Sequence, residues 1–126
     1  MFKVALIGLG GCIGAVARYG LSGLVHRYTN SAFPYGTLVV NVVGCFFIGA
    51  FLYYIESRGG LSPQLRLFAG IGVLGAFTTF STFGYETIEL AGRQEYWSVA
   101  FNILGNVFLG LTAVWLGRAA LRLLGL

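Results

Sequence analysis

Four long apolar blocks, separated by short polar connections, restrict this chain to one kind of architecture. The blocks cover approximately residues 4–25, 37–55, 64–91 and 98–116, and only 10% of the 126 residues are charged. A helix of about 20 apolar residues crosses the roughly 30 Å hydrocarbon core of a bilayer. The sequence therefore predicts an all-α membrane protein with four transmembrane helices, built as one domain over residues 1–126.

The charged residues are scattered singly along the chain, although the formal net charge is +4. No basic cluster is present that could line a nucleic-acid groove. We expect the basic side chains to lie near lipid headgroups, in a multi-pass protein of the cell (inner) membrane. The sequence shows no plausible catalytic triad, metal cluster or carboxylate pair, so we do not expect an enzyme.

The third block contains a polar segment, residues 75–86, in the middle of an otherwise apolar stretch. Its hydroxyl side chains compete with the helix for main-chain partners. Unpaired polar groups are costly in a bilayer. We therefore predict that the third helix is broken near its middle. Main-chain carbonyl groups at such a break suit a small hard cation such as Na⁺.

Two different faces are predicted for the helix that resumes after the break. Phe80 and Phe83 lie three residues apart on one face, and Thr79, Thr82 and Glu86 form a polar stripe on another. The edges of phenyl rings are electropositive, so rings turned edge-on to a pore would favour anions. The two phenylalanines could instead simply pack against neighbouring helices.

Amide and guanidinium side chains also occur inside the apolar blocks. Thr37 and Asn41 are four residues apart, as are Asn102 and Asn106, so each pair lies on one helix face. An asparagine in a membrane either bonds to another helix or offers its amide hydrogens to an anion. Arg18 either extends to the headgroups or supplies a cation to a water-filled vestibule.

The second and fourth blocks share a repeated pattern. Residues 41–49 and 102–110 both follow Asn-x-x-Gly-x-x-Phe-(Ile/Leu)-Gly. A repeat of two spans gives two units that cross the membrane in the same direction. Inverted symmetry would then require a second chain inserted upside down.

Two segments resemble a known family. Residues 36–41 (Gly-Thr-Leu-Val-Val-Asn) and residues 78–83 (Thr-Thr-Phe-Ser-Thr-Phe) followed by Glu86, on four spans of this length, are similar to the CrcB/Fluc fluoride channels. The resemblance implies a passive fluoride-selective channel that exports cytoplasmic fluoride and reduces its toxicity. It also implies an antiparallel dual-topology homodimer with two pores and a structural Na⁺ at its centre. The alternative is a small four-span dual-topology multidrug-type transporter, which would need a carboxylate in the first span, where this chain has Arg18.

The resemblance also implies roles for individual positions. Asn41 would donate to fluoride, and Phe80 and Phe83 would line the pores. The carbonyl groups of Gly75 and Thr78 from both copies would hold the Na⁺. The polar track beside the pores would consist of Thr37, Ser81, Thr82 and Glu86.

Other positions match the family less completely. Arg18 corresponds to a basic residue that is usual near the end of the first span. Ala76 departs from the family pattern, where glycine is expected. A pore role for Asn102 and Asn106 is our inference from their type and spacing, and a role as interhelical hydrogen-bonding residues remains the alternative.

Overall fold

The computed structural model describes residues 1–59 and 62–125, and helices account for most of this part of the chain. Four segments within it are long and apolar enough to cross a membrane: Phe2–Thr29, Tyr35–Ser57, Pro63–Gly92 and Tyr96–Leu123. The predicted four-span, multi-pass membrane architecture is therefore confirmed. The first and fourth helices extend several residues beyond the C-terminal ends of the predicted apolar blocks, whereas the second and third end close to the predicted limits. Tyrosine and arginine side chains in such extensions can reach the interface from within a helix.

The first helix packs closely against the third span through glycines. A methyl group built at Gly10 would collide with the carbonyl oxygen of Phe68, and one built at Gly14 would collide with that of Val73. Only glycine allows the two backbones to approach this closely. These contacts fix the first helix against the half of the third span that precedes the break.

The second and fourth helices form the other close pair. A methyl group at Gly49 would meet the carbonyl oxygen of Val114, and one at Gly117 would meet that of Phe46. At their C-terminal ends, Arg118 Nη2 lies 2.8 Å from Glu56 Oε2. The two helices therefore run in the same direction, in agreement with the orientation that the repeat predicted.

The third span is irregular in its first half, which covers residues 63–77. Ser62 caps its start, because its hydroxyl oxygen accepts a hydrogen bond of 3.3 Å from the Leu65 amide. A π-helix occupies the following residues, and its wider turns are typical of functional regions. The half-span is built in order from an α-helical turn at Pro63–Leu65, a π-helix at Arg66–Leu74 and an α-helical turn at Gly75–Phe77.

The third span is broken at Thr78 and Thr79, as predicted. Thr78 has φ −82° and ψ 158°, and Thr79 has φ −149° and ψ 120°, so both residues are extended. The α-helix resumes at Phe80 and continues as Phe80–Gly92. Gly75 itself is still helical, so the interruption lies a few residues after the start of the polar segment 75–86.

Candidate functional site

Asn41 of the second helix satisfies the main chain at the break. Its Oδ1 atom accepts a hydrogen bond of 2.9 Å from the Thr79 amide, and its Nδ2 atom donates to the Thr79 carbonyl at 3.1 Å. Nδ2 also donates to Oδ1 of Asn106 at 2.9 Å. A side-chain amide therefore supplies the donor and the acceptor that the broken helix no longer provides.

Asn41 can fill its predicted role as a donor to an anion only if one of its existing hydrogen bonds opens. A carboxamide has two N–H hydrogens, and both are used here by protein oxygen atoms. An anion at Asn41 must replace one of these acceptors. The bond to Asn106 is the one that can open without disturbing the main chain. The role in fluoride binding itself stays a prediction.

The break also changes the environment of the two predicted sodium ligands. Because the Thr79 amide turns to Asn41, the Gly75 carbonyl loses the partner that an unbroken helix would supply. The Thr78 carbonyl lies in extended backbone. Within residues 1–59 and 62–125 there is no group of three or more His, Cys, Asp or Glu that could hold a metal. Main-chain oxygens are among the ligand types that a hard cation accepts, and the Na⁺ site at these two residues stays a prediction.

Thr79 also caps the helix that follows. Its Oγ1 atom accepts from the Thr82 amide at 3.2 Å and donates to Thr82 Oγ1 at 3.0 Å. Ser81 Oγ lies 3.4 Å from the same atom. This cap places the N-terminal end of a helix, with its partial positive charge, in the middle of the span. Such an end favours a nearby anion.

Two phenylalanines follow the cap. The ring centroids of Phe80 and Phe83 are 5.4 Å apart, with an angle of 52° between the ring planes. Phe80 is 83% exposed within the single chain, whereas Phe83 is partly covered. A large aromatic ring is thus uncovered beside the polar break.

Two cavities meet at Thr79. The larger has a volume of about 750 Å³, and the smaller has a volume of about 410 Å³. Lining residues of the larger cavity include Arg18, Thr37, Thr79, Thr82 and Glu86. Those of the smaller include Asn41, Thr78, Thr79, Phe80, Phe83 and Asn106. Most residues singled out from the sequence therefore line one of these two cavities, and Thr79 lines both.

A carboxylate lies in the wall of the larger cavity. Thr37 Oγ1 donates to Glu86 Oε1 at 2.8 Å, and Thr37 is only 5% exposed. The other oxygen, Glu86 Oε2, is buried without a hydrogen-bond partner among the described residues. Arg18 lines the same cavity and is partly buried. The second and third spans are thus joined by a polar contact one turn from Asn41.

The two asparagines of the fourth helix occupy different positions. Asn106 lines the smaller cavity, whereas Asn102 is 0% exposed and does not line either of the two cavities. Asn102 Nδ2 donates to Thr87 Oγ1 at 2.9 Å. The sequence did not single out Thr87. A threonine in a helix commonly bonds to the carbonyl group four residues earlier, so nothing in the pattern distinguished it.

These features define a helical, multi-pass membrane protein with a polar site at a break in one span. The chain matches, over residues 5–118, the family described as CrcB-like protein, Camphor Resistance (CrcB). It belongs to that family, so the resemblance predicted from two short segments is confirmed.

Several curated relatives are similar over nearly the whole chain. The "Fluoride-specific ion channel FluC 1" of Methanosarcina acetivorans is 47% identical over 119 residues, which cover 94% of this chain and 89% of the relative. A "Fluoride-specific ion channel FluC" of Dehalococcoides mccartyi is 44% identical over 117 residues, covering 93% and 90%. The protein of that name from Nitratidesulfovibrio vulgaris is 44% identical over 123 residues, covering 98% and 99%.

Proposed function

We propose that this protein is a passive, fluoride-selective channel that exports cytoplasmic fluoride and thereby reduces its toxicity. The observation that supports this most directly is the Asn41 amide at the break, on a cavity that Phe80 and Phe83 also line. The names of relatives at 44% and 47% identity also support it. A passive channel makes and breaks no covalent bonds, so the proposal includes no enzymatic activity.

The chemistry of the site suits a small anion. Fluoride is strongly hydrated, so a pore must replace lost water with other donors. The Asn41 amide and the hydroxyls of Ser81 and Thr82 would supply hydrogen bonds, and the ring edges of Phe80 and Phe83 would supply weaker attraction. A series of modest sites lets an ion leave as well as enter.

The two cavities suggest the route of the ion. Arg18 would attract fluoride into the larger cavity, where the Thr37 hydroxyl already occupies one oxygen of Glu86. The ion would then pass the hydroxyl of Thr79, which lines both cavities, and reach Asn41. The cap at Thr79 contributes the positive end of a helix dipole along this route.

We further propose that the functional unit is an antiparallel, dual-topology homodimer. Phe80 is 83% exposed, and Ser81 and Gly75 are also exposed, although all three lie near the middle of a span. Lipid cannot satisfy the Gly75 carbonyl, which the break leaves without its helical partner, so a second copy is the natural cover. Because the second and fourth helices run in one direction, an inverted symmetry must come from that second copy.

The proposed dimer has a site for a structural Na⁺ at its centre. Each copy would contribute the carbonyl oxygens of Gly75 and Thr78, the first released from helical bonding and the second in extended backbone. Neutral oxygen ligands suit a hard monovalent cation. The ion would stabilise the crossing of the two broken helices, and it takes no part in the passage of fluoride.

Ion efflux from liposomes that contain the purified protein tests the channel proposal. We expect rapid loss of fluoride down its gradient and retention of chloride in matched vesicles. Fluoride loss no faster than from protein-free liposomes would contradict the proposal. Proton-driven transport of an organic cation in the same vesicles would instead support the multidrug-type alternative.

Labelling of one introduced cysteine tests the dual topology. Cys12 and Cys45 are replaced by serine, and Ala32→Cys places a thiol in the exposed connection between the first and second helices. A membrane-impermeant maleimide should label about half of the protein in sealed cells and all of it after permeabilisation. Complete labelling, or no labelling, of sealed cells would contradict the dual topology.

A further inference from the structure

A single series of hydrogen bonds runs behind the proposed pore and joins three of the four spans. Asn41 Nδ2 donates to Asn106 Oδ1, and Asn106 Nδ2 donates to Asn102 Oδ1 at 3.1 Å. Asn102 Nδ2 donates to Thr87 Oγ1, which donates to the Phe83 carbonyl at 2.7 Å. We call Asn41, Asn106, Asn102 and Thr87 the amide relay. Asn41, at one end of the relay, belongs to the proposed pore, and Thr87, at the other end, bonds to the carbonyl of the pore residue Phe83.

At the Thr87 end of the relay, the donor and the acceptor of each hydrogen bond can be assigned in only one way. The Phe83 carbonyl can only accept, so the single hydroxyl hydrogen of Thr87 is used there. Towards Asn102, the Thr87 oxygen can therefore only accept. Asn102 must turn its Nδ2 atom to Thr87, which leaves its Oδ1 atom facing Asn106.

At the Asn41 end, the donors and acceptors can also be assigned in only one way. The Thr79 amide can only donate and the Thr79 carbonyl can only accept, so together they set the orientation of the Asn41 side chain. Asn41 then presents Nδ2 to Asn106. Asn106 must therefore accept this hydrogen bond with its Oδ1 atom. The bonds between Asn106 and Asn102 require the same orientation of the Asn106 amide. Main-chain groups at both ends thus require the same arrangement.

Asn102 is the central member of the relay, and it lies away from the proposed path of the ion. Its side chain is 0% exposed, and it lines neither cavity. The main-chain carbonyl of Asn102 also accepts from Asn106 Nδ2 at 2.9 Å. Asn106, by contrast, lines the smaller cavity beside Asn41. Asn102 therefore acts on the cavity through its neighbours, and Asn106 is the cavity-lining residue to which it bonds directly.

We propose that Asn102 is a positioning residue of the fluoride pathway, which holds the oxygen of the Asn106 amide towards Asn41. This inference rests on the proposed channel function. In the relay, a fluoride ion that approaches Asn41 competes with Asn106 Oδ1 for one amide hydrogen of Asn41. When the ion leaves, Asn106 Oδ1 can accept that hydrogen bond again. If the Asn106 side-chain amide rotated so that Nδ2 and Oδ1 exchanged places, its N–H groups would face the same ion. Asn41 and Asn106 would then both donate to fluoride and bind it more tightly.

This arrangement predicts a particular defect when the relay is cut. One additional hydrogen bond of about 1 kcal/mol corresponds to about fivefold tighter binding. If the rate of entry is unchanged, the rate of exit falls by the same factor. Cutting the relay should therefore lower both the half-saturating fluoride concentration and the maximal current, each by up to about fivefold. Fivefold is the upper limit because the Asn102 main-chain carbonyl still accepts from Asn106 Nδ2 in the variants. A general loss of folded protein would change neither property of a single channel.

The experiment measures single-channel fluoride currents in planar bilayers as a function of fluoride concentration. Asn102→Leu removes the amide at similar volume. Thr87→Val is the milder change, since it removes only the hydroxyl that orients Asn102. Thr87→Ser keeps that hydroxyl and should restore the unmodified current. Thr112→Val removes an exposed hydroxyl of the fourth helix outside the relay, and it should leave the current unchanged.

The outcomes separate this inference from the proposed function. Lower maximal current together with a lower half-saturating concentration, in Thr87→Val or Asn102→Leu, supports the positioning role. Currents equal to those of Thr112→Val overturn it, as does a lower current with an unchanged or raised half-saturating concentration. Absence of any fluoride current from the unmodified protein would instead overturn the channel proposal itself.

Discussion

The substitution Asn41→Asp tests whether fluoride throughput depends on amide hydrogens at the break. Aspartate has nearly the same shape as asparagine, so its oxygen can still accept from the Thr79 amide. It cannot donate to the Thr79 carbonyl or to Asn106 Oδ1, because an ionised carboxylate only accepts. Two hydrogen bonds become contacts between acceptors, and an anion is placed where fluoride must pass.

The size of the effect follows mainly from the added charge. Two unit negative charges about 4 Å apart interact by about 4 kcal/mol at an effective dielectric constant of about 20. Each 1.36 kcal/mol added to a barrier slows a rate about tenfold. Repulsion alone should therefore reduce fluoride flux about a thousandfold. Leaving the Thr79 carbonyl without its donor costs about 1–3 kcal/mol of stability in addition.

The assay is fluoride efflux from liposomes at low protein density, with a matched control. At low density, the fraction of trapped fluoride released counts the active proteins, and the time course gives the rate of each. Asn30→Asp makes the same chemical change in an exposed connection, where solvent screens the charge, and should leave efflux unchanged. Flux of Asn41→Asp within about tenfold of the unmodified protein would refute the electrostatic reasoning.

Three further predictions concern the phenylalanines, the helix contacts and the cation. Phe80→Ile should slow fluoride efflux sharply without loss of the dimer on size exclusion, because it removes an electropositive ring edge; undiminished flux would contradict a pore role. Gly14→Ala should lower the melting temperature in detergent, since its methyl group meets the Val73 carbonyl and overpacking costs about 1–3 kcal/mol. Gly23→Ala faces open space and serves as its control. Replacing Na⁺ by a large organic cation should lower the thermal stability of the dimer, and no change would contradict the proposed Na⁺ site.

The spans and the break follow from the sequence because the bilayer imposes strong constraints. Apolar length fixes the number of crossings, and hydroxyls beside an apolar run indicate where a helix loses its main-chain partners. The π-helix at Arg66–Leu74 was not predictable. It is a change of hydrogen-bond spacing in residues whose apolar pattern fits an ordinary helix equally well.

The candidate site was predicted less completely than the fold. Residue type and spacing identified Asn102 and Asn106 as a pair, because positions four apart share a helix face. Spacing cannot show that one of them lines a cavity while the other is fully buried. Thr87 was missed because its importance depends on a contact with the fourth helix, 15 residues away in the chain.

The bond between Asn41 and the Thr79 peptide also bears on how the protein is made. The third span does not supply hydrogen-bond partners for the main-chain groups of Thr79. The Asn41 side chain, on the helix that precedes it in the chain, supplies them. During synthesis, N-terminal segments emerge first. The second helix, Tyr35–Ser57, is therefore already available when the broken span enters the bilayer. Reversing the order of these two segments in a permuted gene would expose an open peptide group to lipid until the later helix arrived.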